Sequence, residues 1–401
     1  MAAVAIAPDG RTAYGAGEDG TVIAWDLAGN RRLDRPFPAP PRRAMVFPAG
    51  ASGKSPTDLA PEGISVPVAG LAVAAAPDSG SFAVPDDAGY VDVFGSRMLT
   101  LARRIAVSPG TQVSAVALAP DGRTVAATTA NGHLRFADLR GPLGPLQPTG
   151  DPAGGQPAPY DFAWSLAFSG DGRWLATAGA PLPSLRLWDV HHRRIVSTSF
   201  LSPYALAADV TFSPDGTKLA AAVNDSKGGA GIEILSVPQL APLTTVRAPA
   251  GRTVRFSPDG RLLVFGDDQG RVWLYDTRTW RPRGRPLAAH NGAVDTVNLS
   301  PNGQTLATTS DDGTTRLWDV PSGRPIGAAL PGLAQHDVAA AFVDGGNRLV
   351  TLADNGGGHL WDVQPRSWAR RACQIAGRTL TRREWNDALP ERTYAPACAA
   401  R

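Results

Sequence analysis

The sequence predicts an all-β chain built from repeated four-stranded units, and three observations carry that reading. The stretch 293–320 contains three short runs, 293–299, 305–310 and 314–320, with alternating polarity and many β-branched residues. Pro301-Asn302-Gly303 and Asp311-Asp312-Gly313 separate them, and both are turn formers. The same strand–turn–strand pattern recurs near Gly10, Gly80, Gly122, Gly172, Gly216, Gly260, Gly303 and Gly345. After the first interval the spacing is roughly 42 to 50 residues, the period of a propeller blade. The third run of each unit also ends alike, at Trp25-Asp26, Phe94-Gly95, Ala137-Asp138, Trp188-Asp189, Leu235-Ser236, Tyr275-Asp276, Trp318-Asp319 and Trp361-Asp362. One such sheet cannot bury both faces alone, so the units must stack. The prediction is a single β-propeller over 1–366, eight-bladed because eight repeats are counted, with seven blades as the alternative.

In chain order the repeats fall near 4–37, 71–105, 113–140, 164–200, 208–246, 252–287, 293–330 and 338–366. Residues 38–70 are rich in Pro, Gly and Ser and lack alternation, which predicts an excursion from the ring; 141–159 is a second such loop. The chain enters its first strand almost at once, at Val4. A ring is closed by a strand borrowed from its N-terminus, and this start leaves that strand no obvious source. The expectation is that a further domain precedes the propeller covalently. From Ser367 the pattern changes. Ser367 to Ala376 reads as a helix capped by Ser367 and ended by Gly377; Leu380 to Leu389 reads as another, with Thr381 and Glu384 at capping-box spacing and Pro390 as its stop. A short helical tail is therefore expected over 367–401.

The repeats resemble the WD40 family, over about residues 4 to 363, on four Trp-Asp pairs in register with eight turn motifs. Family frequency is what keeps seven blades in view. The resemblance implies a structural hydrogen-bond chain in the seventh repeat, formed by His290, Thr308, Asp312 and Trp318. Asp19 stands at the position of Asp312 in the first repeat, but other repeats place Ala88, Asn131, Gln269 or Asn355 there, so most blades are expected to hold by packing alone. The run Cys373, Ala376-Gly377-Arg378, Leu380-Thr381, Glu384-Trp385, Tyr394 and Cys398 resembles the tail of bacterial proteins that join a STAND-type P-loop ATPase to WD40 repeats.

Composition narrows the functions. Hydrophobic residues make up 43% of the 401, ample for a core, and the net charge of +3 does not argue for nucleic acid. Lys occurs only at 54, 218 and 227, a bias of GC-rich bacterial coding. No run of 18 apolar residues spans a bilayer, and the N-terminus has no signal-peptide pattern. Cytoplasmic location is the expectation, with an extracytoplasmic one if an upstream anchor exists. Two cysteines, Cys373 and Cys398, are too few for a disulfide scaffold or a zinc site; they are reduced thiols, or one bridge closing the tail outside the membrane. Gly50-Ala-Ser-Gly-Lys-Ser55 lacks both the leading Gly and the following helix of a phosphate loop. His191-His192 has no partner cluster for a metal.

These readings give no catalytic, cofactor or metal residues. The predicted function is a non-catalytic scaffold for a protein or peptide, extended by the tail's resemblance to the sensor half of a STAND signalling ATPase. The alternative is a propeller enzyme of lactonase or quinoprotein type with a central-channel site. Nucleic acid is not expected, because Glu384, Asp387 and Glu391 interleave the Arg-rich tail. Charge adds one further expectation. First-to-second-strand turns carry Arg11, Arg123, Arg173, Lys218, Arg261 and Arg348, whereas second-to-third turns carry Glu18-Asp19, Asp86-Asp87, Asp267-Asp268 and Asp311-Asp312. That pattern predicts a disc with an acidic face that attracts basic segments.

Overall fold

The structure is a computed structural model. It describes the strands within 3–38 by their backbone alone, and most of 73–364 with side chains. Segments 39–72, 149–161, 332–336, several shorter loops, and everything after 364 except Ser367 and Arg383 lie outside the described residues. The helical tail, Cys373 and Cys398, and the loop 50–55 therefore fall outside them.

Among the described residues the chain forms a ring of seven antiparallel blades. The first contains strands Ala74–Ala76, Ser81–Pro85, Tyr90–Gly95 and Thr100–Ala106. The second contains Val113–Leu118, Thr124–Thr129, His133–Asp138 and Leu143–Pro148. The third runs Phe162–Phe168, Trp174–Ala180, Leu185–Asp189 and Arg194–Ser199. The fourth runs Ala205–Phe212, Lys218–Asp225, Ala230–Ser236 and Pro242–Arg247. The fifth has Gly251–Phe256, Leu262–Asp267 and Arg271–Asp276, with its outer strand in two pieces, Arg281–Pro282 and Leu287–Ala288. The sixth repeats that plan with Val294–Leu299, Thr305–Ser310, Thr314–Asp319, Arg324–Pro325 and Leu330–Pro331. The seventh contains Asp337–Val343, Arg348–Ala353 and Gly357–Asp362, and its outer strand is Asp34–Pro38.

In the fifth and sixth blades burial is greatest in the second strand, just outside the channel-lining one, and in the fourth blade the outer strand lies largely open. Leu262–Asp267 is buried at every position, whereas the outer strand Pro242–Arg247 is mostly exposed. Apolar side chains of each sheet pack on the next sheet, so every junction has its own core cluster. Phe212 and Leu219 meet Leu185 and Leu187 between the third and fourth blades. Phe82, Val84 and Phe94 meet Val350, Leu352 and Leu360 between the first and seventh. That last cluster, and the packing of Asp337–Val343 against Ala74–Ala76, close the ring.

Two expectations are corrected here. The ring has seven blades, not eight. The first repeat contributes Ala3–Ile6, Thr12–Ala16 and Val22–Asp26 to a separate three-stranded sheet, while its fourth strand leaves to complete the seventh blade. The N-terminal region does supply a closing strand, Asp34–Pro38, held in register from Gly357↔Pro38 to Trp361↔Asp34. Counting turn motifs reveals repeats. It does not reveal which sheet a repeat's last strand joins.

Candidate functional site

The innermost strands surround an axial channel of about 320 Å³, and side-chain hydrogen bonds stitch one strand to the next. The Ser114 hydroxyl donates to the carbonyl of Ala163 at 2.7 Å, and the Trp164 indole to that of Ala207 at 2.7 Å. Asp209 ties three blades together: it accepts the Ser165 hydroxyl at 2.7 Å, the amide of Val254 at 3.0 Å, and the Arg255 guanidinium. The Asn298 side chain donates to the carbonyl of Ala340 at 2.6 Å. The wall is uneven. Blades four to six line it with Asp209, Arg252, Arg255, Asp295 and Asn298, whereas blades one, two and seven line it mainly with alanine, valine and leucine.

At the channel mouth on the face bearing the second-to-third-strand turns (the upper face), Arg252 is surrounded by carboxyls. It is the second residue of Gly251–Phe256, and Gly251 lets that strand close on its neighbour. A Cβ there would lie 2.3 Å from the carbonyl oxygen of Gly266. Arg252 Nη1 donates to Asp295 Oδ1 at 2.9 Å and Asp311 Oδ2 at 3.1 Å, and Nε lies 3.3 Å from Asp268 Oδ1. Burial, then the charge of Asp311, pushes the Asp295 carboxyl up to about 8 against the pull of Arg252, so it keeps its proton at neutral pH. Burial also raises Asp268. Asp268 and Asp311 remain 26% and 39% exposed, so the acid in excess over one guanidinium is reachable from solvent.

The seventh repeat, now the sixth blade, contains the second network. His290 stands in the loop before Val294–Leu299 with its side chain fully buried. Its Nδ1 lies 3.2 Å from both Asp312 oxygens and its Nε2 2.8 Å from Thr308 Oγ1, which accepts the Trp318 indole N–H at 3.1 Å. Burial depresses the His290 pKa despite Asp312, so the ring is neutral: Nδ1–H donates to Asp312, and Nε2 accepts from Thr308. Burial opposes ionisation of Asp312, yet the Thr314 hydroxyl, the Asn291 amide and His290 together hold its pKa below the ordinary value. Packing is not the whole story in the other blades. Trp188 and Trp361 donate their indole N–H groups to Thr177 at 3.4 Å and Thr351 at 3.0 Å, the inner half of the same chain.

The aspartates of the Trp-Asp pairs turn outward to the next loop. Asp189 accepts the His192 amide at 2.9 Å, Asp319 the Ser322 amide at 3.0 Å, and Asp362 the Gln364 amide at 3.0 Å. Trp25 and Asp26 end the strand Val22–Asp26, and their side chains lie outside the described residues. His191 and His192 are exposed on the turn after Asp189. No group of three or more His, Cys, Asp or Glu among the described residues is placed to hold a metal ion.

The expected division of charge is uneven. On the lower face each turn cation stands beside a turn aspartate: Asp121 and Arg123, Asp171 and Arg173, Asp215 and Lys218, Asp259 and Arg261. On the upper face Asp86 bonds Arg104, Asp267 bonds Arg271, and Asp312 bonds His290. Around Arg252 gather three further carboxyls, Asp268, Asp295 and Asp311. Sequence reasoning picked out Asp268 and Asp311 as turn residues and missed Arg252 and Asp295. Their signal was a charge at the register shift of the innermost strand, between Gly251 and Thr253 and between Val294 and Thr296, where the third and fourth blades have Trp164 and Ala208.

Comparison with known families places this geometry. The family model described as WD domain, G-beta repeat matches residues 158–189 and 282–319. Together with the ring, the matches support a WD40 β-propeller. The segments contain Trp188-Asp189 and the whole His290–Trp318 network. Propellers of this kind commonly serve as protein-interaction scaffolds. No curated protein matches the chain.

Proposed function

We propose that the protein is a non-catalytic scaffold whose upper channel mouth captures a basic segment of another protein. The observation that supports this most is the Arg252 site, where three carboxyls share one guanidinium and two stay open to solvent. A lysine or arginine side chain presented there gains Asp268 and Asp311 as partners, and steering by the acidic rim raises its rate of encounter. The test is fluorescence anisotropy with two labelled decapeptides, one rich in Lys and Arg and its Glu-substituted counterpart. Binding of the basic peptide alone, weakened roughly tenfold in the Asp268→Asn/Asp311→Asn variant, is the expected result. Equal binding of both peptides, or an indifferent variant, overturns the reading.

The same proposal extends to the sensor portion of a STAND-type signalling ATPase, in which capture by the propeller releases the ATPase. The tail sequence from Cys373 to Cys398 supports this extension. An immunoblot of the native protein in its source cells tests it. A band far above 41.8 kDa is expected, and one at 41.8 kDa removes the covalent ATPase from the account.

A further inference from the structure

The first repeat is a blade short of a strand. Its three strands pair with one another, and its fourth, Asp34–Pro38, lies on Gly357–Asp362 of the seventh blade. By sequence that fourth strand fits either place. In the fifth and sixth blades the third strand ends Tyr275-Asp276 and Trp318-Asp319, and the arginine five residues on pairs back with the aspartate, Asp276↔Arg281 and Asp319↔Arg324. Six residues later an apolar side chain pairs with the residue three ahead of the aromatic, Val272↔Leu287 and Thr315↔Leu330. The first repeat has that spacing throughout: Trp25-Asp26, then Arg31, then Phe37, which sets Phe37 against Val22. The turn agrees. Four residues after the aspartate stand Trp280 and Gly323 at φ 55° and 67°, and the corresponding residue is Asn30, which takes left-handed φ more readily than most. In the structure Phe37 stands instead against Gly358, the residue three ahead of Trp361. At Phe37 the two registers are equivalent, and one strand cannot occupy both.

We propose that Asp34–Pro38 is an exchangeable latch. On Gly357–Asp362 it closes the seven-bladed ring. Folded back on Val22–Asp26 it completes the first repeat and leaves the outer edge of the seventh blade without its fourth strand. Any ligand that prefers one arrangement shifts the population toward it. The inference stands on strand pairing and does not depend on the basic-segment reading.

Cysteine pairs read the two positions in the full chain, after Cys373→Ser and Cys398→Ser remove the native thiols. Phe37→Cys/Gly358→Cys reports the closed ring and Phe37→Cys/Val22→Cys the folded-back strand; Phe37→Cys/Leu243→Cys, to an exposed residue of the fourth blade, is the control. Intramolecular disulfides mapped by mass spectrometry are expected at both test pairs, the Gly358 pair faster, each at least about tenfold above control. A Val22 pair at control level, a Gly358 pair at control level, or cross-links only between chains overturns the latch. Should the variants fail to fold, hydrogen exchange on the unaltered chain decides. Partial protection of outward amides in both Val22–Asp26 and Gly357–Asp362 supports exchange. Full protection of one strand with none in the other overturns it.

Discussion

The fifth and sixth blades share one backbone plan, down to outer strands split into two short pieces, yet they satisfy their buried polar groups in different ways. In the fifth, Asp267 is fully buried and works inside a single hairpin. It accepts the amides of Gln269 and Arg271 at 2.9 Å, the Arg271 Nε–H at 2.7 Å and the Trp273 indole N–H at 2.8 Å. In the sixth, His290 arrives from the preceding loop and joins that loop to the hairpin through Asp312, Thr308 and Trp318. A local carboxylate holds one turn. The histidine chain holds two segments together, and it fixes the loop next to the Arg252 site. The same architecture tolerates both because interblade packing supplies the fold, and each network needs only to leave no donor unpaired.

The sharpest way to break the comparison is Asp267→Ala. It strands the Trp273 indole and two amides and removes the partner of half-buried Arg271, so a loss of about 3 kcal/mol is expected in urea unfolding. His290→Ala should cost less, about 2 kcal/mol, because Asp312 keeps the Thr314 hydroxyl and the Asn291 amide. Hydrogen exchange in the loop 289–293 should rise in that variant alone. Equal loop exchange in both variants would erase the distinction between a local and a bridging network.

Acidity distinguishes them further. The folded pKa of His290 lies below its unfolded value, so the unfolded chain binds the proton first and this histidine's contribution is lost as pH falls below about 6.5. Asp295 acts in the opposite sense. Its folded pKa near 8 lies above the unfolded value, so stability is full below about pH 4 and declines as pH rises toward 8. Asp295→Asn should therefore unfold at a higher temperature than the parent at pH 9, with the gap narrowing toward pH 5. A gap independent of pH would remove the buried carboxyl from the account. The smallest effect belongs to the seventh blade, where Thr351→Val deprives the Trp361 indole of its acceptor and should cost about 1 kcal/mol.

How much of this was legible beforehand follows from the range of each interaction. Strand runs, Pro-Asp-Gly turns and Trp-Asp ends are written in windows of a dozen residues, and the repeat boundaries followed from them. The blade count was not, because it depends on Pro38 pairing with Gly357 across nearly the whole chain. The His290 chain was legible only through resemblance, since His290 and Trp318 lie far apart in sequence and have no local pattern in common. The Arg252 site was hidden for the same reason. Its four groups come from two innermost strands and two turns, and each alone reads as an ordinary polar residue near a loop. Thr177 and Thr351 could have been found by asking which buried indoles lacked a partner.

Closure of a seven-bladed ring by an N-terminal strand is the claim on which the channel, its mouth and the latch all depend. A crystal structure of the full chain viewed along the channel axis tests it most directly. Density for seven sheets, with Asp34–Pro38 traced beside Gly357–Asp362, is the expected result. Eight sheets around the axis, with Ala3–Ile6 among the innermost strands, would contradict it.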